Sequence, residues 1–276
     1  MEIKRKKIKA LTIAGSDTSG GAGLQADLKT FEELDVYGMS AVTVMVAQNP
    51  NNSWSHDIYP ISLEAIEAQI DTVLGGIGVD ALKTGMLPGY EVIELVARKL
   101  RQYNCTNIVI DPVMVCKGTD EVVNPQAAEG LRELLVPIAD IVTPNIYEAS
   151  QLSGVKHIQT VDAMKEAAQR IHALGARNVL IKGGAKLGAE QAIDLFFDGK
   201  TFELLELPLI QTNYTHGAGC TTAAAVTAGL AMGLSAFEAV SLAKNFAAAA
   251  ISHGFYLNQY VGAVDHAAFR VFAEEE

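Results

Sequence analysis

His216-Gly217-Ala218-Gly219-Cys220-Thr221 sets two closely spaced glycines and a thiol at the head of a long run of small residues. A helix starting there leaves its first N–H groups unpaired and carries a partial positive charge, so bare glycine backbone could cradle a phosphate. Cys220 would stand inside that cradle. A thiol so placed has its pKa drawn from roughly 8.5 toward neutrality, which suits proton abstraction or nucleophilic attack. The plainer reading is a helix start holding a small buried cysteine, and the motif alone leaves both open.

Such a site needs a rigid scaffold, and the hydrophobic patterning of the chain supplies one. Strand-like runs at Leu11 to Ala14, Ala41 to Ala47, Ala81 to Thr84, Asn107 to Asp111, Asp140 to Val142, Asn178 to Ile181, Ile193 to Phe197 and Phe202 to Glu206 recur from end to end. Helical patterns fill the gaps at Leu24 to Leu34, Leu63 to Leu74, Tyr90 to Tyr103, Pro125 to Leu135, Val161 to Leu174 and Thr221 to His253. The alternation predicts an α/β protein whose central, mostly parallel sheet carries helices on both faces. Asp198-Gly199 between two strand-like runs predicts a tight hairpin, adding an antiparallel strand. No linker, repeat or low-complexity segment divides residues 1–276, so one domain is expected.

In an open sheet of this kind ligands bind beyond the carboxyl ends of the strands. The junctions there are polar and glycine-rich: Gly15 to Gly23, Gln48-Asn49, Lys83-Thr84-Gly85-Met86, Asp111-Pro112-Val113-Met114, Thr143-Pro144-Asn145 with Glu148, and Lys182-Gly183-Gly184. Any one of them could be an ordinary turn. Their recurrence along one edge points to a ligand site.

Bulk properties narrow the classes. A chain of 276 residues buries ample core without staples. The three cysteines, Cys105, Cys116 and Cys220, lack CxxC spacing and read as reduced thiols of a cytoplasmic protein. The apolar run after the basic start is too short for a signal sequence. A formal net charge of −11 argues against a nucleic-acid surface, but not against a nucleotide, which needs only a local cation or metal. Thr221 to Phe237 is uncharged, yet it is rich in Ala, Gly and Thr and interrupted by Gly229 and Gly233, predicting two buried helices and no membrane span.

Several motifs are decoys. Gly21-Ala22-Gly23-Leu24-Gln25-Ala26 fits a dinucleotide fingerprint, but no acidic residue ends the following strand. Gly199-Lys200-Thr201 has the tail of a P-loop with Asp194 where its first glycine belongs, and the six histidines show no paired zinc-ligand spacing.

Taken in order, AGSDTSGGAGLQADLKT, VMVAQN, KTGML, DPVMV, TPNIYEA, KGGAK and HGAGCT resemble the vitamin kinases of the ribokinase superfamily. Within it they are similar to the group that phosphorylates hydroxymethylpyrimidine or pyridoxal. The likeness runs from about Ala10 to beyond Lys244. It implies a three-layer α/β/α sandwich, transfer of the ATP γ-phosphoryl to a hydroxymethyl group on an aromatic nitrogen heterocycle, Mg²⁺ as cofactor, and a homodimer.

Carried over by position, Asp17, Gly23 and Gln48 would form the vitamin pocket with Met86 and Val113 as apolar faces for a flat ring. Asn145, Lys182, Gly183, Gly184, Lys186, Asp194, Gly219 and Lys244 fall on the nucleotide side, with Lys244 on the helix that flanks the adenine. Glu148 and Asp111 would organise Mg²⁺ through water and phosphate oxygens. Gly217 and Gly219 would stabilise the transferring phosphoryl. Where most of the superfamily has an Asp base this chain has Cys220, a departure the pyrimidine kinases share.

Cys116, in Cys116-Lys117-Gly118-Thr119-Asp120, is expected on a lid over the pocket. Pyridoxal carries an aldehyde to which two thiols could add reversibly, whereas hydroxymethylpyrimidine offers no such electrophile. That difference favours a pyridoxal kinase of vitamin B6 salvage, acting also on pyridoxine and pyridoxamine. The rival is a kinase of hydroxymethylpyrimidine and its phosphate in thiamine synthesis. A non-catalytic vitamin-binding protein is the remote alternative.

Overall fold

The computed structural model describes residues 6–114, 125–187 and 190–272. In chain order the regular elements are β1 (Lys9–Asp17), α1 (Gly23–Glu33), β2 (Tyr37–Asn49), β3 (Ser55–Pro60), α2 (Leu63–Ile70), β4 (Ala81–Thr84), α3 (Tyr90–Gln102) and β5 (Ile108–Ile110). They continue as α4 (Pro125–Gly130), β6 (Ile141–Val142), α5 (Ile146–Ser153), α6 (Val161–His172), β7 (Asn178–Lys182), β8 (Gln191–Phe197) and β9 (Phe202–Pro208). The chain closes with α7 (Ala218–Ala231), α8 (Ala236–Ser252), β10 (Phe255–Asn258), β11 (Val261–Ala263) and α9 (Ala268–Val271).

Nine strands form one sheet in the order β3-β2-β1-β4-β5-β6-β7-β8-β9. β1, β2, β4, β5, β6 and β7 run parallel, β3 pairs antiparallel with β2 at one edge, and at the other β8 pairs antiparallel with both β7 and β9. The expected hairpin stands between β8 and β9, where the Asp198 carboxylate accepts from the N–H groups of Lys200 and Thr201.

Alternate residues of each strand feed opposite cores. Leu11, Ile13, Leu82, Ile110, Val142 and Ile181 pack against α2, α3, α5 and α6. Their neighbours Ala81, Val109, Ile141 and Leu180 pack against α7 and α8, and Ala10 joins Phe31 of α1 and Ala224 of α7. The result is the three-layer α/β/α arrangement expected. Every residue of α7 from Thr221 to Leu230 is buried, because the helix lies between the sheet, α1 and α8. That position explains its lack of a polar stripe. Among the described residues no helix is long and apolar enough to cross a membrane.

Some boundaries moved. The two helices expected within Thr221 to His253 are α7 and α8, broken at Met232–Ser235 and restarted by a Ser235/Glu238 capping box, with α7 starting three residues earlier than read. β3 was not anticipated: Ser-His-Asp-Ile-Tyr-Pro is half exposed at the sheet edge and lacks a clear apolar alternation. Nor was α5, which is short and begins at a second capping box, Asn145/Glu148.

Candidate active site

The carboxyl ends of β1, β4, β5, β6 and β7 open toward the start of α7 and enclose a cavity of about 600 Å³. Its wall includes Asp17, Gly23, Gln48, Met86, Val113, Asp111, Asn145, Glu148, Lys182, Gly184, Asp194, Gly217, Gly219, Cys220 and Lys244. These residues come from distant parts of the chain, as the junction argument requires. Gly183 and Lys186 are not brought into the wall; they lie in the turn after β7, where the Lys186 N–H donates to Gly183 O at 3.0 Å. Cys116, with the lid built on it, lies outside the described residues.

At the β1 end the Asp17 carboxylate accepts from the Ser19 N–H (2.9 Å), the Ala22 N–H (2.8 Å), Gln48 Nε2 (2.7 Å) and His216 Nε2 (2.8 Å). Burial alone would raise its pKa, but the donors from His216, Ser19 and Gln48 prevail and hold it well below the usual carboxylate range. Asp17 is thus a permanent anion whose acceptor sites serve the protein, and it orients Gln48 and His216 toward the cavity. His56, paired with Gln48 across β2 and β3, also lines the wall, and burial lowers its pKa.

The floor holds two lysine–aspartate pairs. Lys83 of β4 and Asp27 of α1 meet at 2.8 Å with both side chains fully buried, and Thr12 Oγ1 donates to the same Asp27 oxygen at 2.6 Å. Lys182 at the end of β7 donates to Asp111 Oδ1 at 3.0 Å. Lys182 Nζ also lies 3.6 Å from where a β-carbon on Gly219 would stand, placing an ammonium at the N-terminus of α7. Helix end and ammonium together form an anion site. Although burial opposes charge, the facing aspartates raise the pKa of both lysines.

Gly217 shapes that helix start. Its φ is +87°, and a β-carbon there would overlap the carbonyl oxygen of Gly21, so the two glycine-rich loops touch backbone to backbone.

Cys220 requires a correction. A thiol near neutrality was expected from the helix end, but burial, reinforced by the charges of Asp27 and Asp111, pushes it up to about 12 despite Lys83 and the Gly23 N–H. It is partly open to the cavity, yet in this environment it is a protonated thiol and not a ready thiolate base.

Asn145 caps α5 by accepting from the Glu148 N–H at 2.9 Å, and Glu148 returns a bond from the Asn145 N–H at 2.8 Å. Asn145 and Glu148 therefore form a capping box, which fixes Glu148 in the wall. Burial, aided by Asp111, raises Glu148 to about 7 against the pull of Lys182 and the Asn145 and Met114 N–H groups. Among the described residues no cluster of three or more His, Cys, Asp or Glu side chains could cage a metal. Asp111 and Glu148 supply two hard oxygen donors, which fits Mg²⁺, an ion that completes its octahedron with water and phosphate.

On the β8 side, Lys244 of α8 donates to Asp194 at 2.8 Å and to Ala192 O at 2.9 Å, while Asp194 accepts from the Gly184 N–H at 3.2 Å. These contacts brace the turn after β7. The sequence reading assigned no role to His216, His56, Lys83 or Asp27. A lysine inside the apolar β4 run was a usable sign for Lys83, since lysines are almost never fully buried unless paired. His56 carried none, because its strand was unseen.

Comparison with known proteins places this geometry. Residues 17–265 match the family model described as phosphomethylpyrimidine kinase. The chain is 59% identical over 263 residues to a pyridoxine kinase of Bacillus subtilis, covering 95% of this chain and 97% of that protein. It is 44% identical over 262 residues to a hydroxymethylpyrimidine/phosphomethylpyrimidine kinase of the same organism, covering 95% and 96%. Among solved structures, the ADP complex of Bacillus subtilis pyridoxal kinase superposes with a TM-score of 0.93 at 58% identity, covering 96% of this chain and all of that one. The Staphylococcus aureus pyridoxal kinase in complex with AMP-PCP and pyridoxal gives 0.89 at 47%, covering 96% and 95%.

Proposed function

This chain belongs to the phosphomethylpyrimidine kinase family, and on that premise we propose that it transfers the ATP γ-phosphoryl to the 5'-hydroxymethyl group of pyridoxal, and also of pyridoxine and pyridoxamine. The observation that carries the vitamin B6 assignment is the gradient of identity, which is steeper toward the pyridoxine kinase than toward the pyrimidine kinase of one and the same bacterium. Phosphorylation of hydroxymethylpyrimidine is the second reading, supported by the family model itself.

The ring would lie between Met86 and Val113, with Gln48, held by Asp17, presenting hydrogen-bonding groups to its edge. The triphosphate would meet Lys182 and the N–H groups of Gly217 to Cys220, and the base would lie toward Gly184, Asp194 and Lys244. Glu148 and Asp111 would hold Mg²⁺, which when bound would supply neutralising charge for the phosphate oxygens.

A loose phosphoryl-transfer transition state asks little of a base, so positioning and the charge of the cradle provide most of the rate. Cys220, as a thiol, sits where the substrate hydroxyl approaches and orients it. The homodimer implied by the resemblance stays a proposal, read by light scattering in solution.

The deciding experiment measures ADP release with Mg-ATP for pyridoxal and hydroxymethylpyrimidine side by side, identifying each product by mass. Faster turnover of pyridoxal, with no diphosphate from the pyrimidine, is the expected result. The reverse preference would replace the vitamin B6 reading with the thiamine one.

A further inference from the structure

We propose that His216 is a positioning residue that keeps the vitamin loop in register with the phosphoryl cradle, an inference that rests on the kinase reading above. Its ring reaches Asp17 Oδ2 at 2.8 Å, a bond between residues 199 positions apart. Asp17 is the organiser of the first loop, through Ser19, Ala22 and Gln48. His216 immediately precedes Gly217 and the first turn of α7.

Four further contacts turn this bond into a joint. The His216 N–H donates to Gly262 O at 3.1 Å and its carbonyl accepts from the Val264 N–H at 3.2 Å, so its backbone is stitched to β11. The ring packs on Gly21, where any side chain would meet it. One residue later, the backbone of Gly217 rests on Gly21 itself. The loop that would hold the ring of the substrate and the helix end that would hold the γ-phosphoryl meet at this point, where the His216 side chain bonds to Asp17.

Phosphoryl transfer depends on the distance and line between the hydroxyl oxygen and the phosphorus, and a displacement of about 1 Å at a reacting centre lowers rates by about a hundredfold. Its Nε2 faces Asp17 Oδ2, so the role proposed for His216 runs through that residue. Loss of the bond should loosen the alignment while leaving each half-site intact. Binding of either substrate is then preserved, and turnover is not.

Two variants of the full chain separate positioning from packing. His216→Phe keeps a ring against Gly21 and removes the donor, whereas His216→Gln restores an N–H donor at a similar reach. With Mg-ATP and pyridoxal, His216→Phe should lower kcat by about 10- to 100-fold with both KM values within about threefold of the unmodified chain, and should release more ADP than phosphorylated vitamin. His216→Gln should return kcat to within about threefold. Unchanged kcat in His216→Phe, a loss confined to KM, or a glutamine variant as poor as the phenylalanine one would each overturn the proposal. An unmodified chain that phosphorylates only the pyrimidine would remove the vitamin B6 reading instead, and the same comparison would then be run on that substrate.

Discussion

Lys83 Nζ lies 2.8 Å from Asp27 Oδ2 beneath the cavity, and solvent reaches neither side chain. The pair is incompletely satisfied, since Asp27 Oδ1 has no hydrogen-bond partner. Removing one partner of a buried pair strands the other charge, whereas apolar replacement of both is often neutral. Lys83→Met is therefore expected to lose about 3–5 kcal/mol of stability, and Lys83→Met with Asp27→Leu to regain most of it. Urea denaturation of the single and double variants checks this. Additive losses would contradict the pairing.

With its thiol pushed up to about 12, Cys220 should react slowly with iodoacetamide at pH 8 in the folded protein and rapidly once unfolded. Peptide mass analysis reads the site directly. No rise of kcat between pH 7 and 9 should trace to this thiol. Cys220→Ala should lower kcat by up to about a hundredfold through lost orientation of the hydroxyl, with nucleotide affinity unchanged. An unaltered kcat would take Cys220 out of the catalytic set.

His266 is buried, and its Nε2 lies 3.1 Å from Thr221 Oγ1 in the first turn of α7. Burial, with Lys29 nearby, lowers its pKa from 6.5 to about 4. The unfolded chain takes up this proton below 6.5 and the folded protein only near 4, so the stability it contributes is present above pH 6.5 and lost as pH falls toward 4. The effect is at most about 3 kcal/mol. His266→Gln should show a smaller difference in Tm between pH 7 and pH 5 than the unmodified chain, measured by calorimetry. An equal difference would assign the acid sensitivity elsewhere.

If Asp111 and Glu148 hold Mg²⁺ with the phosphates, Asp111→Asn should raise the half-saturating Mg²⁺ concentration by about tenfold or more. Turnover of the unmodified chain should vanish with chelator and return with added Mg²⁺. A titration of ADP release against Mg²⁺ at saturating ATP tests both. An unshifted midpoint in Asp111→Asn would remove that carboxylate from the site.

Much of the fold was legible because it is written in short-range pattern. The period of β1, β4, β5 and β7 and the amphipathic stripe of α3 appear within a dozen residues, and most sequence-predicted strands lie close to where they fold. The junction residues were legible for a related reason: a parallel sheet brings its strand ends to one edge whatever the loops between them. β3 escaped notice because its residues face water on a sheet edge, and α5 because a helix so short shows little periodicity.

Pairings across the chain were not written that way. Nothing local to Lys83 names Asp27, and nothing in the sequence around His216 names Asp17. Even Asn145 and Glu148, expected beside the nucleotide and the metal, also cap a helix, and that role appears only once α5 is seen.

Cys220 marks the division most clearly. The sequence by itself determined that a thiol follows two glycines at a helix start, and that polar, glycine-rich strand ends gather along one edge beside it. A helix end shifts a pKa only modestly, by the partial charge of a few N–H groups within one turn. Burial beside the carboxylates of Asp27 and Asp111 acts more strongly and in the opposite sense, and those residues reach Cys220 only when α1, β5 and α7 close on one another. The sign of that shift belonged to the tertiary structure, because desolvation and long-range charge exist only in the packed protein.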